Sequence, residues 1–154
     1  MEEPRRLESD LLIDTNVFLS FLYREESSSW RDSLELINRI ARGDFHAFIT
    51  RFTLYTIAVK VSYQRKPERL KELASFLERI DQSIGFTIYD TSTIEEKNIV
   101  DLMQTIPLDF DDALQYFVAS QLRLTLVSFD SDFDQTSITR VEPGAILKQA
   151  TENA

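Results

Sequence analysis

Three apolar residues, Leu11, Leu12 and Ile13, run without a break into an acid, a hydroxyl and an amide: Asp14, Thr15 and Asn16. A strand buried on both faces calls for such a run, because its side chains meet protein on either side rather than water. The polar triplet then falls where the strand gives way to the next helix. In open parallel sheets, ligands bind outside the carboxyl ends of the strands. Asp14 is therefore expected on a rigid element, at the edge where chemistry is usually found. The question for the rest of the chain is which residues can join it.

Further strands are expected near 46–50, 85–90, 124–128 and 138–141, after a first one over about 10–14. Helical patterns fill the gaps. A short helix runs from Asn16 to Tyr23. A stripe of Trp30, Leu34, Ile37 and Ala41 is stopped by Gly43. The next helix, capped by Thr50 or Thr53, reaches about Gln64. Pro67 opens another, with Leu70, Leu73, Leu77 and Ile80 facing inward. Ser92 and Glu95 have capping-box spacing at the head of a fifth. Asp109–Leu122 forms a sixth, and a last one follows Pro143. Residues 1–9 form a charged lead-in, and 25–29 a loop. Strands alternating with helices argue for an α/β chain with a parallel sheet flanked by helices.

The chain has 154 residues, enough for one domain, 1–154, with a sizeable core. It has no cysteine, which excludes disulfides, thiolate catalysis and zinc–cysteine sites. No signal peptide and no membrane span are expected, so the default location is cytoplasmic. The formal net charge is −9. A protein that binds nucleic acid by neutralising phosphates carries a basic patch. Here that role needs local Arg and Lys, or metal ions shielding the acids. Lys60, Arg65, Lys66 and Arg69 form one basic concentration, read first as a solvated helix surface and second as an RNA-facing patch.

Three acidic groups stand at comparable places: Asp14 after the first strand, Asp109, Asp111 and Asp112 at the head of the sixth helix, and Asp130 and Asp132 after the fourth strand. If strands one and four are neighbours, these groups converge. Converging carboxylates repel one another. A hard, oxygen-seeking cation such as Mg²⁺ relieves that repulsion, can activate a water, and can stabilise in-line displacement at phosphorus. Each acid also has a plainer reading. Asp109 suits an N-cap, with Asp112 near the positive end of the helix dipole. Asp111 suits a solvated position. Asp130-Ser131-Asp132 suits a turn, and Asp14 an Asx-turn or cap. His46, without a partner motif, reads as structural or exposed. Tyr116 and Phe117 read as core.

The ordered set of these motifs resembles the PIN domain. Leu-Ile-Asp14-Thr15-Asn16, Asp112-Ala113-Leu114 and Val127-Ser128-Phe129-Asp130-Ser131-Asp132-Phe133 carry the resemblance, with the ending Ile138 to Leu147 around Pro143. It covers nearly the whole chain. It implies an α/β/α sandwich around a parallel sheet of about five strands and a Mg²⁺- or Mn²⁺-dependent ribonuclease site. By motif position, Asp14, Asp112 and Asp130 would hold or orient the ion, with Asp132 an accessory acid and Asn16 and Ser128 polar supports. Many small members resemble VapC toxins, which cleave RNA, pair with a small antitoxin and are often homodimers. One departure matters. The family usually carries a glutamate in the helix after the second strand, and here that place falls at about Thr56. Asp109 or Asp111 would then supply the missing charge from the opposite wall.

Two other functions compete with the nuclease. One is a PIN-like module that binds RNA or protein without cutting, favoured by Thr56 and the acidic balance. The other is a phosphatase or receiver-like phosphoacceptor. Proteins similar to haloacid-dehalogenase phosphatases carry a second Asp two residues after the first, where this chain has Asn16.

Overall fold

Leu11–Ile13 form β1, and all three side chains are buried. Both faces of the strand are covered, because alternate side chains enter different cores. Leu11 and Ile13 join one apolar cluster and Leu12 the other. The computed structural model describes residues 9–24 and 29–152, so all but the last residue of the expected lead-in over 1–9 and of the expected loop over 25–29 lie outside the described residues.

β2 (Ala47–Thr50) pairs with β1 in parallel, and β3 (Phe86–Tyr89) with β2. On the other side, β4 (Thr125–Val127) pairs with β1, and β5 (Arg140–Val141) with β4. The order is β3-β2-β1-β4-β5, all parallel. Strands one and four are therefore neighbours. The chain leaves β1 in one direction and returns on its other side at β4. The crevice beyond the carboxyl ends of these two strands is the topological switch point, where such sheets bind ligands.

The helices among the described residues are α1 (Thr15–Leu22), α2 (Ser29–Ala41), α3 (Arg51–Tyr63), α4 (Pro67–Gln82), α5 (Thr93–Leu102), α6 (Phe110–Leu122) and α7 (Pro143–Glu152). Buried residues of α1, α2, α3, α4 and α7 share a cluster with Leu11, Ile13 and Ile49. Those of α5 and α6 share one with Leu12 and Leu126. The result is a three-layer α/β/α arrangement. None of these helices is long and apolar enough to cross a membrane.

Local chemistry sets the helix starts. Thr50 caps α3 by accepting from the Thr53 N–H at 3.1 Å. Ser92 and Glu95 form the expected capping box on α5. Two stripes are rotated from expectation. On α2 the buried line is Ser33, Leu36, Ile37 and Ile40, while Trp30, Leu34 and Ala41 lie at its margin. On α4 it is Leu73, Phe76 and Ile80, and Leu70 and Leu77 remain exposed. Phe76 turns α4, because its ring stacks edge-on with Phe18 at 5.5 Å and packs against Phe21 at 6.1 Å.

The plain readings of His46, Tyr116 and Phe117 hold, and the solvated reading of the basic concentration holds except at Arg69. His46 lies at the amino end of the sheet, bonded to Asp10 Oδ2 at 2.7 Å and Thr87 Oγ1 at 2.8 Å, far from the carboxyl edge. Tyr116 and Phe117 pack against the α5–α6 core. Lys60, Arg65 and Lys66 are exposed, whereas Arg69 is structural, donating to the Leu22 carbonyl at 2.7 Å.

Candidate functional site

Asp14 stands at the carboxyl end of β1 and is only 6% exposed. It caps α1, its Oδ1 accepting from the Thr15 N–H at 2.7 Å. Its Oδ2 accepts from the Ser128 hydroxyl at 2.6 Å. Each carboxylate oxygen can take a second partner, so both keep a free lone pair. Burial pushes the Asp14 carboxyl above the usual carboxylate range, and the charges of Asp130 and Asp111 add to the shift.

Ser128, just past β4, is the hub of this corner. Besides donating to Asp14, its Oγ accepts from Asn16 Nδ2 at 3.2 Å and from the Asp130 N–H at 3.0 Å. Asn16 closes the loop, its Oδ1 accepting from the Phe129 N–H at 3.3 Å. The Asp14, Asn16, Ser128 and Asp130 positions are thus tied together by short bonds across more than 110 residues of chain. Arg140 braces the same turn from β5: it donates to the Ser128 carbonyl at 3.0 Å and forks onto Asp134 at 2.8 and 3.0 Å.

The opposite wall is the head of α6. Asp109 holds the N-cap position without a side-chain cap bond, so its carboxylate is not spent on the helix. Asp111 is exposed, as expected, and Asp112 is half-buried. The Asp112 carboxyl is pushed up to about 7, by burial first and then by the charges of Asp111, Asp130, Asp14 and Asp109. Acids from three distant parts of the chain therefore act on one another. Among the described residues, none of these five carboxylates has an ion-pair partner. Asp132 stands apart: it is exposed on the 3-10 turn Ser131–Gln135, and its N–H donates to Asp130 Oδ1 at 2.9 Å.

Among the described residues, no three His, Asp or Glu side chains are grouped tightly enough to hold a metal ion. The donor set itself is all oxygen, without cysteine or histidine, which is what Mg²⁺ and Mn²⁺ prefer. The residues fit such an ion in kind, and the acids must draw together to hold it.

The raised Asp112 carboxyl has a consequence for stability without metal. An unfolded aspartate titrates near 4. Between that value and about 7 the folded chain holds the proton more tightly, so stability rises as pH falls from 7.5 to 5. Asp112→Asn removes the repulsion. Discounted for solvent at a half-buried site, the gain at pH 7.5 is about 1 kcal/mol, or roughly 3 °C in melting temperature. The variant's melting temperature should also vary less with pH. Thermal melts at both pH values measure this.

A profile of the PIN domain matches residues 11–138. The chain belongs to the PIN domain family. It is 28% identical to a VapC ribonuclease of Archaeoglobus fulgidus over 133 residues, 84% of this chain and 82% of that protein. Its fold is similar to that of VapC20 of Mycobacterium tuberculosis, a sarcin-ricin loop cleaving toxin, with a TM-score of 0.66 at 14% identity over 87% of this chain and all of the other. It is also similar to a chain of the VapBC2 complex of Rickettsia felis bound to a promoter DNA fragment, with a TM-score of 0.61 at 19% identity over 86% of this chain and 97% of that one.

The α3 wall carries no acid. Thr56, near which the resemblance led one to expect a glutamate, spends its hydroxyl on the Phe52 carbonyl at 2.9 Å, one turn back in α3. The polar residue that α3 buries near the site is instead Thr53, bonded to Thr15, Thr50 and Gln115. Reading from the sequence named Thr15 only within its motif and Thr53 only as a cap, and gave Gln115 no role. One signal was present: Gln115 interrupts the apolar inner face of α6 one turn beyond Asp112.

Proposed function

We propose that this PIN domain is a Mg²⁺- or Mn²⁺-dependent endoribonuclease, the toxin of a toxin–antitoxin pair. One observation carries the reading: the carboxyls of Asp14, at the switch point of the sheet, and of Asp112, at the head of α6, are both raised by burial and by the charge of Asp130, and none of the three has a cationic partner among the described residues. Bound there, the ion would supply Lewis acidity and an activated water for in-line displacement at the phosphodiester. Asp14, Asp112 and Asp130 would hold it. Ser128 and Asn16 aim Asp14 and the Asp130 backbone at the same point. Asp109 and Asp111 supply charge that α3 lacks at Thr56, and Asp132 serves as an outer acid. The ion also accounts for how a chain of net charge −9 tolerates a polyanion.

The names of similar proteins support the substrate and the partner: a ribonuclease, a toxin that cleaves the sarcin-ricin loop, and a toxin–antitoxin complex from Klebsiella pneumoniae. A groove of about 400 Å³ between α1, α2 and α4 suits an apolar, acidic segment of an antitoxin. Phe21, Trp30, Leu34 and Phe76 line it, with Arg24 and Arg79 at hand. Tyr55, Val59 and Tyr63 form an exposed stripe at helical spacing on α3 that suits a homodimer.

The test is cleavage of a defined RNA with Mn²⁺ and with a chelator. Cleavage only in the presence of the ion is expected. A second reading, a PIN domain that binds RNA or protein without cutting, is favoured by Thr56 and by the open spacing of the acids. RNA retained uncut in millimolar Mn²⁺ would support that module instead.

The missing glutamate gives a further expected result. If Asp109 and Asp111 compensate for it, Asp109→Asn and Asp111→Asn should each weaken Mn²⁺ binding several-fold in a calorimetric titration. Unchanged affinity in both variants removes the compensation.

A further inference from the structure

Behind the acids lies a second set of polar side chains that the proposed chemistry does not use. Thr53, in the first turn of α3, is wholly buried. Its hydroxyl oxygen meets Thr50 Oγ1 at 3.1 Å, Thr15 Oγ1 at 2.9 Å and Gln115 Nε2 at 2.8 Å. Gln115 is 2% exposed, and its Oε1 is buried without a hydrogen-bond partner. These side chains come from the end of β2 and from α1, α3 and α6. Thr15 follows Asp14 in the chain. Gln115 lies three residues after Asp112, on the same side of α6.

A glutamine at this place is expensive. Its inward neighbours on α6 are Ala113, Leu114, Val118 and Ala119, and an apolar residue would bury there without stripping water from an amide. Half of the amide is left unpaired even so. What it makes is the bond to Thr53, which, among the described residues, is the side-chain hydrogen bond that joins α6 to α3. The tie continues to Thr15, the residue next to Asp14. The two walls of acids are thus linked by one buried polar strut.

We propose that Gln115 is a positioning residue of the acid site. Through Thr53 and Thr15 it sets the distance between Asp112 on α6 and Asp14 at the end of β1, the span a divalent ion must bridge. This rests on the metal-site reading above. A chain with no acid at Thr56 has no carboxylate on α3 to share the ion and hold the walls together. The neutral strut does the second of those jobs.

The test compares Gln115→Leu, Thr53→Val and Thr53→Ser by melting without metal and by calorimetric titration with Mn²⁺. Removing outer-shell support for metal ligands commonly costs about 10–100-fold in affinity. Gln115→Leu and Thr53→Val should each lose Mn²⁺ affinity in that range; Gln115→Leu should melt within a few degrees of the parent chain, and Thr53→Val, which leaves the buried amide unpaired, roughly 5–10 °C lower. Thr53→Ser keeps the hydroxyl and should bind as the parent does. The double variant Gln115→Leu with Thr53→Val should be no weaker than either single one, because both cut the same strut. Parental Mn²⁺ affinity in Gln115→Leu and Thr53→Val overturns the proposal and leaves the metal site intact. A parent chain that takes up no Mn²⁺ at millimolar concentration overturns the metal reading and this proposal with it. If Gln115→Leu does not fold, Thr53→Val against Thr53→Ser decides, and equal affinity in that pair overturns the strut.

Discussion

Asp14→Asn should abolish Mn²⁺-dependent RNA cleavage and leave the chain folded. The expected loss is on the order of a thousandfold or more, as for other single members of a catalytic unit. Asparagine matches the shape of aspartate, and its carbonyl can still accept from the Thr15 N–H that caps α1. Its amide nitrogen then faces Ser128 Oγ, which already accepts from Asn16 and from the Asp130 N–H. Three donors on one hydroxyl oxygen is one too many, so the Ser128–Asp130 turn must shift slightly. Against that, the variant no longer buries a charge that has no cationic partner among the described residues, and the raised Asp14 carboxyl marks that burial as costly. The two effects oppose each other, so melting should change little. Cleavage should vanish because the charge is what holds the ion. Cleavage at the parental rate would refute the mechanism; an unfolded variant would show that the Ser128–Asp14 bond, not the charge, was tested.

The second large effect is a proton released on metal binding. Asp112 is pushed up to about 7, so at pH 7 close to half of the molecules carry a proton there. A cation binds the ionised form, so each Mn²⁺ taken up should expel about half a proton at pH 7. Calorimetric titration in two buffers of different ionisation enthalpy measures that number directly. As pH falls below 7, proton and ion compete, and affinity should drop by about tenfold per pH unit while one group controls it. Bound ion should also stabilise the fold, by about 2.7 kcal/mol at a hundredfold excess over the dissociation constant. For a chain of this size that is roughly 5–10 °C in melting temperature. Asp112→Asn should remove the proton release and most of the affinity. Tight binding without proton release would mean that the ion sits elsewhere.

Much of the fold is legible because local signals agree with tertiary ones. Leu11–Ile13 reads as a doubly buried strand and is one. Ser92 and Glu95 read as a capping box and form it. The alternation of strands and helices leads to the parallel sheet that is observed. What stays hidden depends on partners distant in sequence. The α4 stripe turns toward Phe76 because Phe18 and Phe21 wait across the core, and spacing alone does not say which of several apolar residues meets them. The site divides in the same way. The acids are visible because strand ends and helix starts can be placed by pattern. Asp132 carries the same motif signal, yet it lies exposed on a 3-10 turn whose backbone bonds to Asp130, which spacing alone does not show. The Thr53–Gln115 bond spans 62 residues and leaves no trace in local spacing beyond one polar residue on an apolar face.

The central claim is that carboxylates far apart in the chain meet around one ion. Anomalous diffraction from crystals grown with Mn²⁺ tests it most directly. A single strong peak is expected, with oxygen atoms of Asp14 and of Asp112 or Asp130 at about 2.0–2.2 Å, the distance of hard divalent ions from oxygen ligands. Full Mn²⁺ in the drop with no peak between β1, β4 and α6, or a peak bound only by surface acids elsewhere, would contradict it.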